Sequence, residues 1–309
     1  MDTQEFLRLA NNFYISKGVE ASIERIALDA EFVNYYVSHQ EDIKKRFKVA
    51  LLCICLNEHY WSFAKEMIDG AKKFFLPGHQ TDFFFWTDMP DTNFGATIIP
   101  TESVAWPYPT LLRYNLFLQQ EEKLKDYDYI FYCDIDMKFV NCVGDEILGE
   151  GITAAQHPMY ALRKEYWPPY EPNEHSASYI KRPGRLIDDG GKPRFMPLYF
   201  AGGFQGGRAG KFIQAMKATK KIIEKDLNQS YVPIWNDESA WNKYLSENPP
   251  DIVLTPSYIY PDSLIKEYYE PLWGQSYQAR LITVTKPFSI SSEGGEALKK
   301  ILESNRPKQ

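Results

Sequence analysis

Two aspartates one residue apart, Asp134 and Asp136, end the apolar run YIFYCDID at 129–136. Alternation along a strand end would place both carboxylates on one side and turn Ile135 into the core. Carboxylate oxygens are ligands that Mn²⁺ and Mg²⁺ prefer, and two of them leave coordination positions for diphosphate oxygens. An acidic strand end in solvent has the same pattern, but the position directly after an apolar strand favours a metal site.

A different chemistry uses the same strand-end pair. In phosphatases that form an aspartyl phosphate, the first aspartate is a nucleophile. Lys138 stands where those enzymes usually have Thr or Val, which counts against this alternative.

Two further patterns could serve a ligand. Asp237 and Glu238 begin a predicted helix, where the helix dipole stabilises negative charge with or without catalysis. Glycines cluster in AGGFQGG at 201–207, where a ligand could approach the backbone closely, although a bulge or tight turn needs glycines equally. Taken alone, His157 is more typical of a structural residue and Lys286 of a surface lysine.

Alternating elements must position these residues. Apolar runs predict strands at 49–56, 82–88 and 129–136, separated by predicted helices at 60–75 and 111–124. This order is that of a nucleotide-binding half-sheet, whose ligands lie at the carboxyl ends of the strands, where Asp134 and Asp136 stand. Further along, the pattern predicts strands within 151–160 and 198–207 and helices at 210–226 and 237–248.

The domain organisation follows from the same pattern. Residues 1–46 are charged and loosely helical, and we predict a helical N-terminal extension there. We predict one large α/β domain over 47–309. The polar segments at 164–197 and 287–309 are predicted to be mobile and to close over a bound ligand.

Composition excludes some classes of function. The formal net charge of -6 argues against a nucleic-acid-binding protein. No stretch approaches the roughly 20 apolar residues that span a bilayer, and no signal peptide is seen, so we expect a soluble, cytoplasmic protein with reduced cysteines.

Five segments in order resemble glycosyltransferase family 6, the family of the histo-blood-group A and B transferases, over about residues 48–288. They are FYCDIDMKF, HPMY, YFAGGFQGG, WNDESAWNKYL followed by IVLTPSY, and VTKP. The resemblance implies a GT-A fold, that is, a single Rossmann-like nucleotide-sugar-binding domain with a mixed central sheet. It also implies Mn²⁺-dependent transfer, with retention, of galactose or N-acetylgalactosamine from UDP to a galactoside, forming an α1,3 linkage.

The resemblance assigns roles position by position. Asp134 and Asp136 match the site for Mn²⁺, or for Mg²⁺ in its place, and Glu238 matches the catalytic glutamate. His157 and Trp235 match acceptor-binding positions. The implied donor-binding residues are Tyr60, Arg113, Asp134, Asp136, Ala201, Gly202, Gly203, Asp237 and Lys286.

Donor choice follows from the small residues of the YFAGG segment. Ala201 and Gly203 should leave room for an acetamido group, and glycine at 203 resembles the A-type enzymes. We therefore predict UDP-N-acetylgalactosamine (UDP-GalNAc) over UDP-galactose (UDP-Gal).

Departures from the family pattern at Met159, Asn236 and Asp262 leave the acceptor, and any requirement for fucose on it, open. A retaining GT-A transferase for another UDP-sugar is a second hypothesis. A non-catalytic sugar-binding protein on the same fold is a third, disfavoured by the intact acidic residues.

Overall fold

The computed structural model describes residues 46–89, 94–158, 160, 168–181, 198–261 and 277–284, together with the backbone of 185–188 and 193–196. Of the predicted N-terminal extension only Arg46 is among them. The predicted tail and part of the 164–197 loop also lie outside the described residues, so the extension and both mobile segments stay predictions.

The described chain alternates between strands and helices, as the apolar runs predict. The strands are β1 (Lys48–Cys55), β2 (Gln80–Thr87), β3 (Thr97–Pro100), β4 (Tyr129–Cys133), β5 (Met137–Phe139), β6 (Ile152–Gln156), β7 (Arg185–Asp188), β8 (Pro193–Met196), β9 (Phe200–Arg208), β10 (Ile252–Leu254), β11 (Tyr260–Pro261) and β12 (Leu281–Thr283). The helices are α1 (Glu58–Phe74), α2 (Tyr108–Leu111), α3 (Arg113–Leu118), α4 (Glu121–Leu124), α5 (Ala209–Asn228) and α6 (Asn236–Glu247).

Seven strands form a mixed central sheet in the order β10-β6-β9-β4-β1-β2-β3. Strand β9 runs antiparallel to both β4 and β6, while the other neighbours pair in parallel. A second sheet has the order β11-β12-β5, and β7 pairs with β8. The predicted α/β class with a mixed central sheet is confirmed, and the architecture is GT-A-like.

Strand β1 shows why its run is apolar throughout. Leu51 and Cys53 belong to a core cluster on the side of α1, whereas Leu52 and Ile54 belong to the cluster on the side of α3, α5 and α6. Because alternate side chains enter cores on opposite faces, no position of the strand after Lys48 is free for a polar residue.

Two predicted elements differ in the structure. The helix predicted at 111–124 is three short helices, and its first break, at Leu112, comes directly before Arg113. The strand predicted at 129–136 ends at Cys133. Asp134 to Asp136 form a turn instead, closed by a hydrogen bond of 3.2 Å from the Met137 N–H to the Asp134 carbonyl.

The glycine-rich segment is one continuous nine-residue strand, β9, and its pairing with β6 shifts register between Ala154 and Gln156. A Cβ atom at Gly206 would lie 2.4 Å from the Ile130 carbonyl oxygen, so glycine there lets β9 pack closely on β4. Gly207 has a φ of 137°, which L side chains rarely adopt. These two glycines therefore serve the packing and the path of the backbone.

Within the described ranges, no helix combines the length and the apolar character needed to cross a bilayer.

Candidate active site

A cleft that is partly open to solvent lies at the carboxyl ends of β1 and β4. This is the edge at which α/β sheets bind ligands. Its lining residues include four of the predicted site residues, Tyr60, Arg113, Asp134 and Asp136. Trp106, which is 61% exposed, stands at its border.

Tyr60 is positioned by the junction between β1 and α1. Asn57, at this junction, has a positive φ of 77°. Its N–H donates to Asp88 at 2.9 Å, and the indole Nε1 of Trp61 donates to the same carboxylate at 3.0 Å. Because both contacts hold the first turn of α1, they fix where Tyr60 meets the cleft.

Asp134 and Asp136 both line the cleft. Ile135, between them, is buried in the core cluster beside α1, as predicted, but it also lines the cleft. Tyr132 donates its hydroxyl hydrogen bond to Asp134, and the Asp134 N–H donates to the Gly203 carbonyl at 2.8 Å. Among the described residues, no group of three or more acidic, His or Cys side chains could enclose a metal ion. Two part-exposed carboxylates suit an ion that takes its other ligands from phosphate and water.

Arg113 connects the two acidic pairs. Its Nε lies 3.1 Å from Asp237 Oδ2, its Nη2 lies 3.6 Å from Asp134 Oδ1, and its Nη1 donates to the Gly202 carbonyl at 3.0 Å. The guanidinium also lies over the Tyr132 ring, 4.4 Å from the centroid. Burial opposes its charge, but the nearby carboxylates outweigh burial and raise its pKa, so Arg113 is a permanent cation.

Asp237 and Glu238 occupy the first turn of α6. The Gly202 N–H donates to Glu238 Oε2 at 2.8 Å, which joins the helix to β9. Burial raises the pKa of Glu238 to about 7, although the Gly202 amide and the Tyr199 hydroxyl favour its charged form. Burial likewise raises the pKa of Asp237 to about 6, opposed by Arg113.

The small residues of β9 lie directly beside these carboxylates. A Cβ atom at Gly202 would make ordinary contacts with Glu238 and Asp237, at 3.6 and 3.7 Å. At Gly203 a Cβ would lie only 2.8 Å from Asp134 Oδ2 and 3.0 Å from Ile259 Cδ1. Ala201 is 3% exposed and packs in the core cluster beside α1. Glycine at 203 therefore leaves room for the Asp134 carboxylate itself.

His157 lies in an aromatic cluster next to the cleft. Its ring centroid is 5.2 Å from that of Tyr160 and 5.8 Å from that of Tyr199, whose hydroxyl adjoins Glu238. Burial lowers the pKa of His157 to about 4, so its imidazole is neutral at physiological pH.

Trp235 directly precedes α6, and its N–H donates to Ser239 Oγ at 3.1 Å. Its indole N–H has no hydrogen-bond partner among the described residues. Lys286, the remaining predicted site residue, lies outside the described residues.

Sequence reasoning missed Tyr132 and Asn242, which contact the predicted residues. Tyr132 precedes Asp134 by two positions, the strand period, and Asn242 follows Glu238 by four, the helical period. Both spacings could have indicated the contact.

The mixed sheet and its carboxylate-lined cleft define a GT-A-like glycosyltransferase. Sequence comparison agrees, since the glycosyltransferase family 6 profile matches residues 33–269. The chain belongs to glycosyltransferase family 6.

Three relatives illustrate the similarity. The chain is 29% identical over 218 residues to the rat histo-blood group ABO system transferase 1, a match that covers 67% of this chain and 59% of the relative. It is 26% identical over 214 residues to human globoside alpha-1,3-N-acetylgalactosaminyltransferase 1, covering 66% and 58%. The Escherichia coli O-antigen biosynthesis glycosyltransferase WbnI is 24% identical over 239 residues, covering 76% and 93%. The matches thus span under three fifths of the two mammalian relatives.

Proposed function

We propose that this chain transfers N-acetylgalactosamine, in preference to galactose, from a UDP-sugar to the 3-hydroxyl of a galactoside, with retention at the anomeric carbon. The observation that carries the proposal is the link through Arg113 between Asp134, which lines the strand-end cleft with Asp136, and Asp237, which is buried beside Glu238 at the start of α6. The names of the human and rat relatives, which specify N-acetylgalactosamine or blood-group transfer, support the sugar class.

Asp134 and Asp136 would hold Mn²⁺ or Mg²⁺, since their oxygens and partial exposure fit such an ion. The ion supplies positive charge to the diphosphate as UDP departs. Arg113 adds a cation that cannot be deprotonated, and its contacts with Asp134 and Asp237 link the cleft carboxylate to the buried one.

Glu238 is the candidate for the chemical step. Its carboxylate either attacks the anomeric carbon, forming a covalent glycosyl-enzyme, or stabilises an oxocarbenium-like ion while the acceptor enters from the same face. Both routes need the ionised form, and the Gly202 N–H favours it. Asp237 would accept hydrogen bonds from the hydroxyls of the donor sugar.

The acceptor would contact His157 and Trp235. A neutral imidazole can donate and accept hydrogen bonds to sugar hydroxyls, and the indole N–H of Trp235 is a donor without a partner among the described residues. Fucosylated and unfucosylated galactosides should be compared with UDP-GalNAc and Mn²⁺ on a glycan array.

A donor hydrolysis assay tests the proposal. Purified protein with Mn²⁺ should release UDP from UDP-GalNAc faster than from UDP-Gal or other UDP-sugars, and excess EDTA should stop the release. Glu238→Gln should lower the rate of release by about 10²-fold to 10³-fold. Glu247→Gln is the matched control, because Glu247 is an exposed glutamate of the same helix.

Each outcome separates the hypotheses. Release from a different UDP-sugar alone would identify the second hypothesis, a retaining transferase for that sugar. Binding of UDP-sugar without release would identify a sugar-binding protein. Wild-type release by Glu238→Gln would refute the assigned catalytic role.

A further inference from the structure

Asn242 is a buried polar residue one helical turn after Glu238, and the chemistry proposed above does not use it. Its Oδ1 accepts a hydrogen bond of 2.8 Å from the Phe200 N–H. Its Nδ2 donates to the Phe200 carbonyl at 2.8 Å and to the Glu238 carbonyl at 2.9 Å. The side-chain amide thus uses its acceptor and both donors on backbone groups.

These contacts occur where the strand pairing is irregular. The register between β6 and β9 shifts between Ala154 and Gln156, and Gln156 is the residue that faces Phe200. Side chains supply hydrogen bonds in this part of β9. Asn242 bonds to both the N–H and the carbonyl of Phe200. At Gly202, Glu238 accepts from the N–H and Arg113 donates to the carbonyl.

Glu238 is consequently linked to β9 through both its backbone and its side chain. Its backbone carbonyl is linked through Asn242 to Phe200, and its carboxylate accepts directly from Gly202, two residues further along the same strand. The first tie holds the main chain of the first turn of α6 at a fixed distance from β9. The second then determines where the carboxylate lies.

We propose that Asn242 is a positioning residue that sets the location of the Glu238 carboxylate for catalysis. This inference rests on the proposed function, because it requires Glu238 to act on the sugar. Asn242 does not touch the cleft residues that would bind UDP, so its loss should lower turnover rather than donor affinity. A displacement of about 1 Å at a reacting group can cost roughly 100-fold in rate.

Two substitutions remove the tie in different ways. Asn242→Ala deletes every contact, whereas Asn242→Asp keeps the size and an acceptor but loses both donors when ionised. Leu245→Ala is the matched control, because Leu245 is a buried core residue of the same helix. Its apolar side chain makes no hydrogen bond to Glu238 or β9. It should lower Tm while leaving kcat near that of the wild type well below Tm.

The experiment measures kcat and KM for UDP release with Mn²⁺, using the better donor of UDP-GalNAc and UDP-Gal, together with Tm. We expect both Asn242 variants to lose about 10-fold to 100-fold in kcat, with KM and the Kd for UDP with Mn²⁺ within about twofold of wild type. Wild-type kcat, or a loss that Leu245→Ala reproduces at an equal drop in Tm, would overturn the proposal.

A double-mutant comparison supplies the decisive readout. If Asn242 acts through the Glu238 carboxylate, then adding Asn242→Ala to Glu238→Gln should reduce the residual turnover no further. A multiplicative loss would show that Asn242 acts elsewhere and would overturn the proposal. Wild-type turnover by Glu238→Gln alone would instead refute the proposed role of Glu238 and, with it, this inference. Turnover lost in Glu238→Gln but unchanged in the Asn242 variants would refute only the inference.

Discussion

The two acidic pairs, one lining the cleft and one at the start of α6, contain similar side chains in opposite surroundings. The Asp134 side chain is 35% exposed in a turn between strands, whereas that of Asp237 is 6% exposed at the start of a helix. Carboxylates at an open rim can bind an ion arriving from solvent. Buried carboxylates must be held by charges or donors within the protein: Arg113 forms an ion pair with Asp237, and the Gly202 amide donates to Glu238. Position, more than residue type, is what supports the proposed roles of the first pair toward metal and diphosphate and of the second pair toward the sugar.

Removing a rim carboxylate should have the largest effect. Asp134→Asn and Asp136→Asn should each lower kcat/KM for donor hydrolysis by about 10³-fold, because the several kcal/mol supplied by a bound metal ion would be lost. Isothermal titration of Mn²⁺ in the presence of UDP should show weakened binding.

Asp69→Asn is the control for these variants, since Asp69 is an exposed aspartate paired with Lys65 on α1. Full activity of Asp136→Asn together with insensitivity to EDTA would contradict a metal-binding role for Asp134 and Asp136. The two acidic pairs would then not differ in the way proposed.

The burial of Glu238 predicts that the stability of the protein depends on pH and that Glu238→Gln is stabilising at high pH. The pKa of Glu238 is about 7 in the fold against an ordinary value of 4.5, so the folded state binds the proton more tightly than the unfolded state. Stability contributed by this proton is present below pH 4.5 and is lost as the pH rises toward 7. Glu238→Gln, which cannot ionise, should lower kcat by about 10²-fold to 10³-fold yet raise Tm by a few degrees at pH 8.

The measurement is thermal unfolding in EDTA at pH 4.5 and pH 8. At pH 4.5, wild type and Glu238→Gln should unfold at similar temperatures. An equal Tm difference at both pH values would mean that Glu238 does not titrate as its burial indicates.

Substitution of Arg113 tests its ion pair with Asp237, which connects the two acidic pairs. Arg113→Met leaves Asp237 as a buried charge without its cation and should cost about 3 kcal/mol in the free energy of unfolding at pH 8. The loss should be smaller at pH 5. Burial already raises the pKa of Asp237, and the loss of the Arg113 charge raises that pKa further, so Asp237 is mostly protonated and uncharged at this pH.

Urea unfolding measures this cost, and the Arg113→Met, Asp237→Asn double variant provides the comparison. It should recover part of the lost stability. A double variant no more stable than Arg113→Met would show that the ion pair is not what Arg113 contributes.

The smallest effect is expected at Gly203. Gly203→Ala should shift the donor preference toward UDP-Gal and also raise the Mn²⁺ concentration for half-maximal activity several-fold. The added methyl group would press on Asp134 Oδ2, which lies 2.8 Å from its position.

A competition assay with both donors, repeated over a range of Mn²⁺ concentrations, separates the two effects. An unchanged donor ratio would refute the donor assignment of Gly203, while an unchanged Mn²⁺ dependence would show that Asp134 can move without loss.

Much of the fold could be predicted because its signals are local. The uncharged run of β1, the apolar β2 and the amphipathic α1, α5 and α6 were predicted to within a few residues. The short strands β3, β5, β7, β8, β10, β11 and β12 were not predicted. Segments of two to four residues carry too little periodicity to be distinguished from loops, and their partners in the sheets define them.

The sequence by itself determined the α/β class, the family resemblance and the acidic residues of the site, since apolar runs and ordered motifs are properties of the chain. Tertiary structure alone decided that Arg113 joins Asp134 to Asp237 and that Asn242 ties Glu238 to β9. It also decided that Gly206 serves strand packing while Gly203 leaves room for Asp134. Contacts between residues far apart in the chain, and the burial that shifts a pKa, arise only when the elements pack together.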